Sequence, residues 1–391
     1  MRVAFLANRY LNPETSRSWS GLPFYIKRAF EQADIETVVF NLDEKVSLGS
    51  WAQFAYWKIL HRKRYLRNST AELLRSYGAQ VEAQLASARV DAIFSPSSWP
   101  FAYLRTALPT FFWTDACFAG MVDFYGSFTQ LAPPSLIDGH AAEQNALNRC
   151  TRALYSSEWA AETARSSYSV DPRKIAVVPF GGNLQDPPEF ADVIAAIDRR
   201  DFKQCNLLLV GVDWKRKGVD IAISVAEALI ARGFATRLTV VGCTPPKGFI
   251  VPSFVEVIPF ISKQSPEGRR QLNEIYHRSH FFIMPSRAEA YGLVFAEANA
   301  FGLPCVATSI GGIPSIITNE VNGRLFEPEE KAAKYADYIW NVMKDPARYR
   351  KMAVSSADEA VTRLSWSVSG RKVADILGEI TGKCAAASVP A

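Results

Sequence analysis

The chain has 391 residues, 48% of them apolar and 21% charged, with a formal charge of +5; this is the composition of a globular protein long enough for two domains that each bury a core. Residues 1–180 carry +3 and the remainder +2, so neither half has the basic excess of a nucleic-acid binder. The six cysteines, Cys117, Cys150, Cys205, Cys243, Cys305 and Cys384, lie far apart, which excludes a zinc-type cluster and fits a reducing compartment.

The opening MRVAFLANRY has too short an apolar run for a signal h-region, and no 18-residue apolar stretch offers a membrane span. Short apolar, β-rich runs predict strands at 3–8, 37–42, 92–95, 110–115, 153–157 and 175–180. Helical periodicity falls between several of them, for example at 22–33 and 142–153. Such alternation builds a parallel, doubly wound sheet. The Gly- and Pro-rich stretch GGNLQDPPEF, 181–190, breaks both periodicities and reads as the hinge. A second series follows at 206–211, 237–242, 255–260, 281–286, 305–309 and 324–326. Its helix 219–231 lines up Ile221, Val225, Ala228 and Leu229 on one stripe. The reading is an α/β chain of two Rossmann-like domains, 1–181 and 190–365, facing across a cleft. The helical segment 366–380 either finishes the second domain or crosses back to the first, and the small polar tail ending SVPA is expected to fray.

The most informative stretch is PSRAEAYGLVFAEANAFGLPCVATSIGGIPSII, 285–317, which reads strand, turn, helix, strand, turn. The helix begins near Leu293. Backbone amides of Tyr291, Gly292 and Leu293 at its mouth would hold anionic oxygens, with Gly292 allowing close approach. Glu289 in the preceding loop and Glu297 within the helix would accept hydrogen bonds from sugar or ribose hydroxyls. Together they suit a nucleotide diphosphate sugar and glycosyl transfer; the plain alternative is two solvated surface carboxylates. In LLLVGVDWKRKGVDIAI, 207–223, a strand ends in Lys215, Arg216 and Lys217 before a helix. These cations would stabilise a leaving diphosphate without a metal, or else they are a solvated helix start.

These residues resemble the signature of glycosyltransferase family 4, retaining enzymes of the GT-B fold. The resemblance rests on Pro285, Ser286, Glu289, Tyr291, Gly292, Glu297 and Ala298, then Gly302, Pro304, Val306, Ala307 and Thr308, and finally Gly311, Gly312, Ile313 and Pro314. It implies that Glu289 and the loop amides hold donor sugar and phosphates and that Glu297 binds ribose. Lys217-Gly218 is similar to the family's Lys-Gly. The family's Arg after the strand-terminal glycine is replaced by Val212, so Arg216, with Lys215 in reserve, is expected to supply the second cation. The long first loop, with Ser20-Gly21 before a helix, occupies the place where the family approaches the donor phosphates. No GxGxxG follows the first strand, which counts against a dinucleotide oxidoreductase. Asp115 stands where the family often has a His; orienting hydroxyls, accepting a proton and capping the next turn are all open to it. His61, His140, His277 and His280 show no ligand spacing.

The resemblance implies a metal-independent, retaining glycosyltransferase of bacterial-type glycan, polysaccharide or glycolipid assembly. It would need no cofactor, taking UDP- or GDP-sugar as donor and a glycan or lipid-linked hydroxyl as acceptor. The rivals are a nucleotide-sugar epimerase and a non-catalytic sugar-nucleotide binding module. The expected location is cytoplasmic, with or without peripheral contact at the inner membrane face. That contact would run through 57–75, a basic amphipathic stretch whose other reading is a solvated helix with its apolar face in the core.

Overall fold

In the computed structural model, residues 1–382 are described; Cys384 and the SVPA tail lie outside the described residues. The chain divides into two compact units. The first is Met1–Pro179 together with the segment from Trp366, and the second is Phe180–Ser365.

The first unit runs β1 (Arg2–Ala7), α1 (Leu22–Gln32), β2 (Glu36–Asn41), α2 (Leu48–Leu60), α3 (Ala71–Leu85), β3 (Ala92–Ser95), β4 (Thr110–Thr114), α4 (Phe118–Met121), α5 (Pro133–Arg149), β5 (Arg152–Tyr155), α6 (Glu158–Ser167) and β6 (Ile175–Val177). Its six strands pair in the order β2-β1-β3-β4-β5-β6, all parallel. Strands β3 and β4 are buried along their whole length, which is why they read as unbroken apolar runs rather than alternating ones. Phe5, Phe30, Phe94 and Phe111 interlock at ring distances of 4.8 to 6.2 Å.

The second unit runs α7 (Phe190–Asp198), β7 (Cys205–Val210), α8 (Val219–Ala231), β8 (Thr236–Val241), β9 (Val255–Ile258), α9 (Pro266–Arg278), β10 (Phe281–Met284), α10 (Leu293–Ala300), β11 (Cys305–Thr308), β12 (Gly323–Phe326), α11 (Ala332–Met343) and α12 (Pro346–Thr362). Its sheet order is β12-β11-β10-β7-β8-β9, again parallel. The last helix, α13 (Trp366–Thr381), packs on α1 of the first unit. Trp366 stacks on Tyr25 and meets Trp113 edge-on, and Ser369 Oγ donates to the Pro179 carbonyl at 2.6 Å.

Two sequence expectations need correction. The helix placed at 142–153 is α5, which starts nine residues earlier with Pro133 in its first turn and stops at Arg149, because Arg152 already pairs into β5. The stretch 57–75 is not one helix. Helix α2 ends at Leu60, a non-helical run carries His61–Arg64, and α3 opens at Ala71; Arg62 adopts a left-handed φ of 53°, which breaks the helix. Its apolar residues divide: Leu73 and Leu74 of α3 lie in the core and Trp57, Tyr65 and Leu66 are half-buried, whereas Ile59 and Leu60 are exposed.

Candidate functional site

Strands β7 and β10 are neighbours, yet the chain leaves β7 towards β8 and β9 and leaves β10 towards β11 and β12. The loops after these two strands therefore open side by side at the point where the winding reverses, where open α/β sheets bind ligands. Glycines let the loops touch. Gly218, left-handed at φ 71°, caps α8, and a Cβ there would lie 2.1 Å from the Pro285 carbonyl oxygen. The loops are then stitched together: the Arg287 amide donates to the Arg216 carbonyl at 2.8 Å, and the Arg287 guanidinium donates to the Lys215 carbonyl at 2.6 Å. Arg287 also grips both oxygens of Asp220, which holds that carboxyl below the usual carboxylate range.

Glu289 sits at the centre, 8% exposed. Its Oε2 accepts hydrogen bonds from Lys217 Nζ and, at 3.4 Å, from Arg216 Nη1; Arg216 Nη1 also donates to the Ala288 carbonyl at 3.0 Å. The Lys217 stem folds over the end of β7 because Gly211 has no side chain: a Cβ there would meet Lys217 Cγ at 2.8 Å. The GGIP loop joins in through the Gly312 amide, which donates to the Glu289 carbonyl at 3.2 Å. Segments separated by some seventy residues thus converge on one nearly buried carboxylate with two cations. Such a cluster is weak evidence for stability, since desolvation offsets much of the attraction, and stronger evidence of a site that handles charge.

Beside it, Gly292 caps α10 with φ 97°. Among the described residues the amides of Tyr291, Gly292 and Leu293 donate to no backbone acceptor, so the helix mouth offers donors and a positive dipole end. The Tyr291 side chain serves the core instead: it is buried, and its hydroxyl donates to the Phe180 carbonyl at 2.7 Å.

Glu297 is on α10 but is 1% exposed. Its Oε1 accepts from Lys263 Nζ at 2.5 Å and its Oε2 from the Tyr276 hydroxyl at 3.2 Å. Burial, then the Glu297 charge, pushes the Tyr276 hydroxyl well above its ordinary pKa. Sequence reading missed both partners. A buried Glu calls for a cation, but nothing local marks Lys263, which follows β9, and Tyr276 reads as an apolar position of α9. Gly182 completes the shell, since a Cβ there would lie 2.9 Å from the Glu297 amide.

Of the other residues singled out from sequence, Lys215 has an exposed side chain and joins the loops through its carbonyl, which accepts from Arg287, and Val212 is 67% exposed. Gly21 and Asp115 belong to the first unit. Gly21 (φ 86°) follows Trp19 and Ser20, both also left-handed, as the cap of α1; Asp115 is half-buried directly after β4. A carboxyl the sequence reading passed over is Glu143 of α5, fully buried, whose Oε2 accepts from Ser98 Oγ at 2.9 Å and the Phe118 amide at 3.2 Å. Burial outweighs these bonds and pushes it up to about 7. His280 accepts from the Asn206 amide through Nδ1 and faces the Asp201 carbonyl through Nε2. That pairing describes a neutral ring, and burial lowers its pKa to about 4. Among the described residues no three His, Cys, Asp or Glu side chains are grouped to hold a metal ion.

Comparison with known proteins matches residues 204–345 to the family model described as glycosyl transferases group 1. Curated relatives include D-inositol 3-phosphate glycosyltransferases from Nocardiopsis dassonvillei, 26% identical over 62% of this chain and 61% of the relative, and from Xylanimonas cellulosilytica, 28% identical over 55% and 53%. The chain thus spans between about half and three fifths of the length of these relatives. Among solved structures, sucrose-phosphate synthase from Thermosynechococcus elongatus superposes with a TM-score of 0.70 at 17% identity, covering 97% of this chain and 99% of that one. WaaG, a glycosyltransferase involved in lipopolysaccharide biosynthesis, gives 0.63 at 18%, covering 96% and 99%. At these identities the likeness is one of fold, and that fold is GT-B. The motifs of 285–314 and the match to the group 1 glycosyl transferase model over 204–345 both fall in the second unit, and it is this part of the chain that is similar to that family.

Proposed function

We propose that the protein is a retaining, metal-independent glycosyltransferase that moves a sugar from a nucleotide diphosphate sugar to a hydroxyl acceptor. The observation that carries this is the buried Glu289–Lys217–Arg216 cluster beside the open amides of α10. The α10 mouth and the two cations receive the diphosphate. As the glycosidic bond lengthens, negative charge grows on the leaving phosphate, and Lys217 and Arg216 are already placed to stabilise it. Glu289 accepts hydrogen bonds from the sugar and keeps both cations oriented. Glu297, held by Lys263 and Tyr276, has carboxylate lone pairs left for ribose hydroxyls. Retention follows from attack on the face the diphosphate leaves, with the leaving phosphate oxygen taking the acceptor's proton, so no protein nucleophile is required. Acceptor binding falls to the first unit, where the Gly21 loop and Asp115 are the candidates. The family match favours transfer over epimerisation.

The donor base is tested by calorimetric titration with UDP, GDP and ADP. One of them is expected to bind at a single site, and Lys217→Ala is expected to weaken it at least tenfold. Binding unaffected by that substitution, or no binding by any of the three, removes the proposal.

A further inference from the structure

Helix α2 presents an unusual surface. A helix lying on a globular unit normally turns its apolar stripe inward and its charges outward. In α2 the inward side is Ser50, Phe54 and Trp57, which are buried or half-buried. The opposite face, at spacings of four, three and four residues, is Leu48, Ala52, Ala55 and Ile59, all exposed, with Trp51 and Tyr56 on its flanks and Leu60 at its end. Leu48 is 89% exposed, Ile59 72% and Leu60 68%. The helix carries a single charge, Lys58.

The charge around it is equally one-sided. From Lys45 to Ala71 the chain has six cations, Lys45, Lys58, Arg62, Lys63, Arg64 and Arg67, and no acid. That segment alone is +6 in a chain whose total is +5. The arrangement is held in place: Ser47 Oγ accepts from the Ser50 amide and donates to Glu72, the Arg67 guanidinium lies 3.6 Å over the Trp51 ring, and Arg64 pairs with Leu131 through its backbone. The apolar face is thus a fixed feature of the unit.

We propose that α2 seats the first unit on an anionic lipid bilayer, with Leu48, Trp51 and Ile59 entering the acyl boundary and the Arg62–Lys63–Arg64 run meeting the phosphate headgroups. At 13 residues the helix is about 20 Å long, short of the ~30 Å hydrocarbon core, so it lies in the interface plane instead of crossing. No helix among the described residues is long and apolar enough to span a membrane. Aromatic side chains at the edge of an apolar stripe with cations alongside match the layering of a bilayer surface, apolar below and anionic above. The inference is independent of the donor-site reading.

The test is flotation of the full chain with vesicles of phosphatidylcholine containing about one third phosphatidylglycerol, whose negative surface potential attracts basic segments, against pure phosphatidylcholine vesicles. Binding is expected to the anionic vesicles only and to fall at least tenfold in 0.5 M salt. Leu48→Ser/Ile59→Ser and, separately, Arg62→Glu/Lys63→Glu are each expected to abolish flotation with an unchanged melting temperature, because every altered side chain is exposed. Failure of the wild type to float overturns the proposal. So does wild-type flotation that survives both double variants, and so does a concentration-dependent dimer, seen by light scattering without lipid, that Leu48→Ser/Ile59→Ser dissolves.

Discussion

Glu289 shows how one carboxylate can organise a site whose other members come from distant segments. Glu289→Gln keeps the shape but removes the charge that holds Lys217 and Arg216. Turnover is expected to fall by about 10² or more, the scale of losing one transition-state electrostatic contact, with a melting temperature within a few degrees of wild type; near-normal turnover would remove Glu289 from the mechanism. Gly211→Ala is a finer probe. Its new Cβ meets only the flexible Lys217 stem, so the expected result is weaker donor binding by titration with little change in stability. Glu143 gives the pH prediction. Its folded pKa of about 7 lies above the ordinary value of 4.5, so the folded state keeps a proton that the unfolded state releases. This contribution is fully present below pH 4.5 and is lost as pH rises towards 7, for a total of roughly 3 kcal/mol. Glu143→Gln is expected to gain on wild type across that window in melting curves taken from pH 4.5 to 7.5; parallel curves would refute it.

The glycines that join loops matter more than those that merely turn. Gly218→Ala would place a Cβ against the Pro285 carbonyl in a left-handed backbone, where the obstruction is rigid. A loss of several kcal/mol, measured by urea unfolding, is expected, together with loss of donor binding. Most elements were legible in the sequence for a related reason. Parallel strands buried on both faces, such as 92–95 and 281–284, are short apolar runs bounded by turn residues, and periodicity finds them directly. Helix α8 coincides with its predicted span, 219–231, because its stripe and the preceding glycine both mark it. Helix α5 was misplaced because its N-terminal half carries Pro133, Pro134 and Gly139, which read as breakers, although Pro is tolerated in a first helical turn. The Glu289 pair with Lys217 was readable through the motif that carries each residue. Lys263 and Tyr276 were not, since their role exists only once α9 and α10 lie side by side. Helix α2 was obscured because its outward face is apolar, the reverse of the pattern on which such readings rely.

For the molecule as a whole, the two units have matching six-stranded parallel sheets, and the proposed function gives them separate duties. A nucleoside diphosphate at 100 times its dissociation constant is expected to stabilise the unit that binds it by about 2.7 kcal/mol. If the donor site is as described, hydrogen exchange with and without ligand will show protection in the loops after β7 and β10 and in α10. Protection confined to residues 1–179 would contradict the assignment of donor binding to the second unit. The first unit has a further property, set by its last helix. Trp366 fills the space between Tyr25 and Trp113, and Gly370 lies so close to Ala29 that a Cβ would be 2.5 Å from its carbonyl oxygen. Residues at the start of the chain therefore wait for residues near its end. At about 5 to 20 residues per second on a ribosome, the nascent sheet of the first unit spends many seconds with α1 uncovered while residues 180–365 are made, and a product cut before Trp366 lacks the helix that covers it.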